Sequence, residues 1–196
     1  MHIPPRNGLV IATLISLLAS LGFAQTRSTT SALFRKLESA QTTDQAAEQL
    51  LGLGKANAMA RQYLAVHLPP LIEAGPQSSV SVWANAVDLA GELRIVDAAP
   101  ALAKWIRVRV GGPVTGLSQE INLRHNPAAA ALARIGNPAI PALEGPLEQG
   151  DLNERWEAVY ALDLISSPKA RSVLHKHAAH EPNAGLRDFI NRVSWK

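Results

Sequence analysis

The 196-residue sequence contains no cysteine, two methionines and few aromatic residues: three Phe, two Tyr and four Trp. Without cysteine there are no disulfides, no thiolate metal sites, no thiol nucleophile and no lipid anchor on an N-terminal Cys. No run of 18 apolar residues lies beyond the N-terminal region, so no internal membrane-spanning helix is expected. Charge of either sign is sparse. Nineteen Lys and Arg stand against 16 Asp and Glu, a net charge of +3, and the basic residues are scattered rather than gathered into the stripe a nucleic-acid binder shows. No nucleic-acid partner is expected. No Ser-His-Asp arrangement and no paired-carboxylate motif is present. Gly111-Gly112-Pro113 and Leu51-Gly52-Leu53-Gly54 lack the strand context of phosphate-binding loops. The sequence therefore assigns no catalytic residue, no cofactor and no complete metal-ligand set.

What the sequence does have is alanine and leucine. Hydrophobic residues make up 47% of the chain although aromatics make up only 5%, a balance that favours closely packed helices over a β-sandwich. The N-terminus reads as an address. Arg6 precedes an apolar stretch from Leu9 to Leu21, and Gly22-Phe23-Ala24 places small residues at −3 and −1 of a cut before Gln25. The stretch is too short to span a bilayer, which needs about 20 residues. The expected organisation is a signal peptide over 1–24, a flexible linker over 25–31 and one helical domain over 32–196. The destination is periplasmic or extracellular, with no stable membrane span after cleavage.

Leu132, Ile135 and Pro138 recur thirty residues later as Leu162, Ile165 and Pro168, and Ala128 and Ala131 recur as Ala158 and Ala161. A fixed period of this size is the signature of stacked helical hairpins. Helices are expected over Ser79–Leu93, Ala98–Val110, about 126–135, 138–149, 153–165, 168–180 and 185–193, with earlier ones near 43–51 and 56–67. Gly52 and Gly54 are expected to end a helix, Pro69-Pro70 to kink or restart one, and Asn153 to cap one. Residues 107–122 read as an insertion, with Val114–Asn122 irregular. The final segment, Gly185 to Lys196, suits a polar cap on a short array.

Leu123 to Leu143 reads Leu-Arg-His-Asn-Pro-Ala-Ala-Ala-Ala-Leu-Ala-Arg-Ile-Gly-Asn-Pro-Ala-Ile-Pro-Ala-Leu. This resembles the bacterial HEAT-like repeat, of the kind also seen in phycobilin lyases. There a first helix ends Ala-Leu-x-x-Ile-Gly, Asn-Pro turns the chain, and a second helix begins Ala-Ile-Pro-Ala-Leu. Arg155 to Pro168 is similar, and Glu92-Leu93-Arg94 followed by Ala99-Pro100-Ala101-Leu102 matches more loosely. The resemblance covers roughly residues 80–180 and implies an all-α fold, a short right-handed α-solenoid of HEAT-like hairpins. The repeated positions are packing positions, so it implies no particular activity. A phycobilin lyase would meet its substrates in the cytoplasm, which the N-terminal address contradicts.

The expected function is that of an exported, non-catalytic scaffold for an unidentified protein partner. Second helices of such hairpins usually line the concave face. That face would present Arg61, Lys104, Arg107, Arg171 and His175 as a candidate partner-binding surface, interleaved with Glu144 and Glu148. A metal-dependent enzyme or factor using the His175–Glu181 segment is the alternative, and a structural accessory of an envelope assembly is a third. On a helix His177 and His180 share a face and Glu181 lies four residues after His177, whereas His175 points elsewhere. The competing view is a solvated last turn, where cationic side chains favour a helix C-terminus. His180-Glu181 also resembles one of the His-Glu pairs of deoxyhypusine hydroxylase, but that family uses several and this chain has one. Trp83, Trp105 and Trp156 are expected to be buried, and Trp195 to be exposed at the tail.

Overall fold

The computed structural model describes residues 24–110 and 125–193. Among these residues the protein is all-helical, with no strand. Helix α1 covers residues 24–37. It is followed by α2 (Thr43–Ala56), α3 (Ala58–Glu73), α4 (Val80–Glu92), α5 (Ala99–Lys104), α6 (Pro127–Ile135), α7 (Ile140–Gln149), α8 (Leu152–Ile165), α9 (Pro168–Ala178) and α10 (Ala184–Val193). Short 3₁₀ turns, Val96–Ala98 and Asn137–Ala139, lead into α5 and α7. The expected signal segment lies outside the described residues except for Ala24, as do Val114–Asn122 and Trp195.

The order of contact follows the order of sequence. Helix α2 packs on α4, α4 on α6 and α6 on α8; α3 packs on α5, α5 on α7 and α7 on α9. Connections within each pair are short, so first helices form one layer and second helices the other. At the N-terminal edge α1 joins α3, where Phe34 meets the stacked rings of Tyr63 and His67 edge-on. At the C-terminal edge α10 lays Leu186, Ile190 and Val193 against α8 and α9.

The repeated alanines and leucines are buried, whereas the repeated Pro138 and Pro168 are exposed and Ile165 is half-buried. Ala128, Ala131, Leu132, Ala158, Ala161 and Leu162 are all fully buried, on α6 and α8. Small side chains at these seams set how near two helix axes come. The nearest approach is at Gly91 of α4, where an added Cβ would stand 2.8 Å from the Ala131 Cα and 3.0 Å from its Cβ. Leu64, Leu68, Ile72, Leu102, Ile140 and Leu143 fill the space between the layers, each contributing about 1.5–3 kcal/mol by burial.

Caps explain most helix boundaries. Asn57 accepts from the Met59 and Ala60 amides, Ser79 from Val82, Asn126 from Ala129 and Ser167 from Ala170. Helix α8 is capped by Asp151 rather than Asn153. Asp151 and Glu154 satisfy each other's backbone amides in a capping box, each at 2.9 Å. The Glu154 amide, with Asn153 and Arg107 adding and hydration loss opposing, holds the Asp151 carboxyl below its ordinary range.

Several boundaries differ from the sequence expectation. Residues 25–31, expected as a linker, form the first turns of α1, and Thr30 is buried there. Gly52 and Gly54 do not end α2. Gly54 is where α2 approaches Leu93, whose Cδ1 would lie 2.7 Å from an added Cβ. Pro69 and Pro70 sit inside a single α3. Helix α5 stops at Lys104 instead of Val110. Its continuation is diverted by Asn126, whose amide donates to the Ile106 carbonyl, and by Val110, whose N–H donates to His125 O at 2.8 Å. Helix α9 ends at Ala178, two residues before His180.

The two kinds of glycine predict opposite signs. Gly91→Val forces backbone apart at the α4–α6 seam and is expected to cost about 1–3 kcal/mol. Gly145 of α7 has no atom within 4 Å of an added Cβ, so Gly145→Ala is expected to gain about 0.5–1 kcal/mol. Thermal or denaturant melts of the two variants check both.

Candidate functional site

The candidate partner-binding residues lie on or beside the second-helix layer, where Arg61, Lys104, Arg107 and Arg171 make intramolecular contacts. The Arg61 guanidinium on α3 donates to the Leu93 carbonyl, and Lys104 at the end of α5 pairs with Glu73 of α3. Arg107, just beyond α5, lies 3.3 Å from Asp151 at the start of α8. Arg171 of α9 reaches the Ser166 carbonyl at 3.4 Å, and His175 is exposed one turn later. The first two contacts join consecutive helix pairs, and the third reaches from the end of α5 to the start of α8. The Lys104–Glu73 and Arg107–Asp151 ion pairs are solvent-exposed, so each contributes at most about 1 kcal/mol.

The histidine segment is built differently. His177 is not part of a solvated last turn: it is 2% exposed and lies between two carboxylates. Its Nε2 is 2.8 Å from Glu181 Oε2, and its Nδ1 is 3.3 Å from Glu148 Oε1. His180, in the turn after α9, places Nε2 at 2.8 Å from Glu148 Oε2. His177 and His180 meet edge-on, with ring centroids 5.0 Å apart. Glu148 comes from the last turn of α7, so the cluster joins two successive second helices. His175, two residues before His177, is not among the three.

Glu181 is the fixed point of the cluster. It is 1% exposed, and its carboxylate accepts from Arg155 Nε at 3.0 Å and Nη2 at 3.3 Å. The Asn183 amide donates to it at 2.8 Å. Arg155 is held in turn by the Gly150 carbonyl at 2.9 Å. Burial pushes the Glu181 carboxyl up, but the Asn183 amide, His177 and Arg155 together outweigh it and hold the group ionised below its ordinary range. The His180 hydrogen bond does the same for Glu148, against partial burial and with help from His177.

His177 faces a carboxylate through each ring nitrogen, Nε2 toward the buried Glu181 and Nδ1 toward Glu148. One nitrogen from each histidine and one oxygen of Glu148 all lie within 4.8 Å of one another, with Glu148 and His180 open to solvent. The spacing of His177, His180 and Glu181 was legible in the sequence. Glu148 and Arg155 were not read as members. The signal that would have found Glu148 is the repeat period, because thirty residues before His177 to His180 lies Leu147 to Gly150.

The tryptophans divide. Trp83 is fully buried in α4, and its indole N–H has no hydrogen-bond partner. Trp105 and Trp156 are only half-buried. Trp105 donates to the Glu73 carbonyl at 3.2 Å, and Trp156 lies with Tyr160 and Phe189 in an aromatic group over α8 and α10. No family model matches this chain, and no curated protein matches it.

The buried and exposed ion pairs predict unequal responses. Arg155→Ala leaves the Glu181 carboxylate buried without its bidentate partner and is expected to cost about 3 kcal/mol. Lys55→Ala removes an exposed pair with Glu92 and is expected to change stability by no more than about 0.5 kcal/mol. Urea titration of both variants measures the difference.

Proposed function

We propose that this chain is an exported, non-catalytic scaffold: a short right-handed α-solenoid of HEAT-like hairpins that binds a protein partner across its curved helical surface. The observation that carries the reading is the packing order, in which first helices follow one another in one layer and second helices in the other. The burial of the alanines and leucines that recur at thirty residues supports it. Export rests on the pattern from Arg6 to Ala24. Among the described residues no helix is long and apolar enough to cross a membrane.

A helical array held by buried seams presents its side chains in fixed positions, which lowers the ordering cost of association. The partner-binding surface centres on Arg61, Lys104, Arg107, Arg171 and His175. Lys104 and Glu73 are each about half exposed, at 53% and 51% of their side chains, so their pairing gains little. A partner carboxylate can take the place of Glu73 at small cost. Charge complementarity of this kind governs partner choice and association rate more than it governs total affinity.

The test is capture of the partner from an envelope fraction, with mass spectrometry of what is retained. One defined protein is expected on the native chain and absent from Lys104→Glu/Arg107→Glu, while the melting midpoint of the double variant stays close to the native value. Equal retention by both chains, or no enriched protein at all, overturns the reading.

A further inference from the structure

We propose that Glu148, His177 and His180 bind a single divalent transition-metal ion of the zinc class, with Glu181 orienting His177. The site is independent of the scaffold reading, since it needs no partner.

The donor set is one carboxylate and two imidazoles, the borderline-hard combination that zinc and its neighbours favour. Bonds of about 2.0 Å in a tetrahedral site put ligand atoms roughly 3.3 Å apart. His177 Nδ1 and Glu148 Oε1 already stand at 3.3 Å, and His180 Nε2 and Glu148 Oε2 at 2.8 Å. Small side-chain rotations bring the three donors onto one ion.

The second observation is the group behind His177. A metal-bound histidine characteristically donates its other ring N–H to a carboxylate, which fixes the tautomer and raises the basicity of the ligating nitrogen. Here that carboxylate is Glu181, at 2.8 Å from Nε2 and itself held by Arg155 and the Asn183 amide. A carboxylate this well satisfied does not need the ion, so it serves as support and not as a ligand. What remains is Nδ1, which faces Glu148 Oε1 across 3.3 Å. A divalent ion bound between the two displaces any proton held on Nδ1, as metal binding to histidine requires.

Burial gives the site direction. His177 is almost inaccessible, whereas Glu148 and His180 are 42% and 52% exposed at their side chains. The ion therefore approaches from solvent, and water completes the coordination. Because Glu148 is on α7 and the histidines follow from α9, an ion here ties the C-terminal ends of two consecutive second helices. Binding to the folded chain alone raises stability by mass action.

Isothermal titration of the untagged full chain with zinc chloride, paired with thermal melts with and without zinc, tests the assignment. One equivalent of zinc is expected to bind and to raise the melting midpoint. Glu148→Gln and His180→Ala change solvent-exposed side chains on two different elements. Each is expected to weaken binding by at least about tenfold and to abolish the zinc-dependent rise. His175→Ala lies outside the triad and is expected to bind as the native chain does. No saturable binding to the native chain overturns the proposal, as does native affinity in Glu148→Gln and His180→Ala, or an equal loss in His175→Ala.

Discussion

The seam between α4 and α6 sets the geometry on which the other helices depend. Gly91 stands against Ala131, while Ala86 and Ala90 on one helix and Ala128 on the other are fully buried. Side chains this small contribute little burial energy themselves. Their effect is to let two backbones approach until the larger residues flanking the seam reach the opposite layer. Val87, Leu93, Leu132 and Ile140 then become core residues rather than rim residues. The same logic repeats at α6 and α8, where Ala131 and Ala161 share a repeat position. An interior close-packed in this way has no slack, so a single added methyl group is felt at the seam and ignored on the outer face of α7.

The seam was legible in the sequence because it is periodic. Leu132 with Leu162 and Ala128 with Ala158 announced both the helices and their buried faces. The misreadings fall where one residue type serves two physical ends. Glycine ends helices, but Gly54 is present because Leu93 occupies the volume a Cβ would need. Proline stops helices, but Pro69 and Pro70 are carried within α3, which buries Leu68 and Ile72 on its inner face. Helix α5 was overextended because nothing local stops it. What diverts it is Asn126, twenty residues beyond the carbonyl it captures. Asn153 carries a capping side chain, but Asp151 is the residue that caps α8, because with Glu154 it forms a reciprocal pair.

The histidine cluster was half legible for a related reason. Local spacing on one helix shows which side chains share a face, so His177, His180 and Glu181 could be grouped. It cannot show what the neighbouring helix brings to that face. Glu148 arrives from the previous pair because successive second helices stack in register, and Arg155 arrives from the first-helix layer. The view that the segment is solvated followed from its charge. It holds at His175, Lys176 and His180, which are exposed, and fails at His177 and Glu181, because a charge can be buried when a bidentate guanidinium and a backbone amide meet it.

Alanine seams hold helices close but are permissive about register, since one alanine resembles the next. A one-turn slip of α9 along α8 would keep much of the apolar contact. It would not keep the Glu181 carboxylate in front of Arg155 Nε and Nη2, nor His177 between Glu181 and Glu148. A buried carboxylate left without its partner costs about 3–5 kcal/mol, far more than a shifted alanine contact. Among the described residues α10 covers the last helix pair with Leu186, Ile190, Val193 and the ring of Phe189. The polar cluster therefore sits where apolar packing specifies position least. Arg109 with the buried Glu157 adds a second ion pair two residues further along α8. The first half of that helix is fixed by charge, while Ala158 and Ala161 set how closely it packs. This division explains how a chain so rich in one small residue reaches one arrangement instead of several.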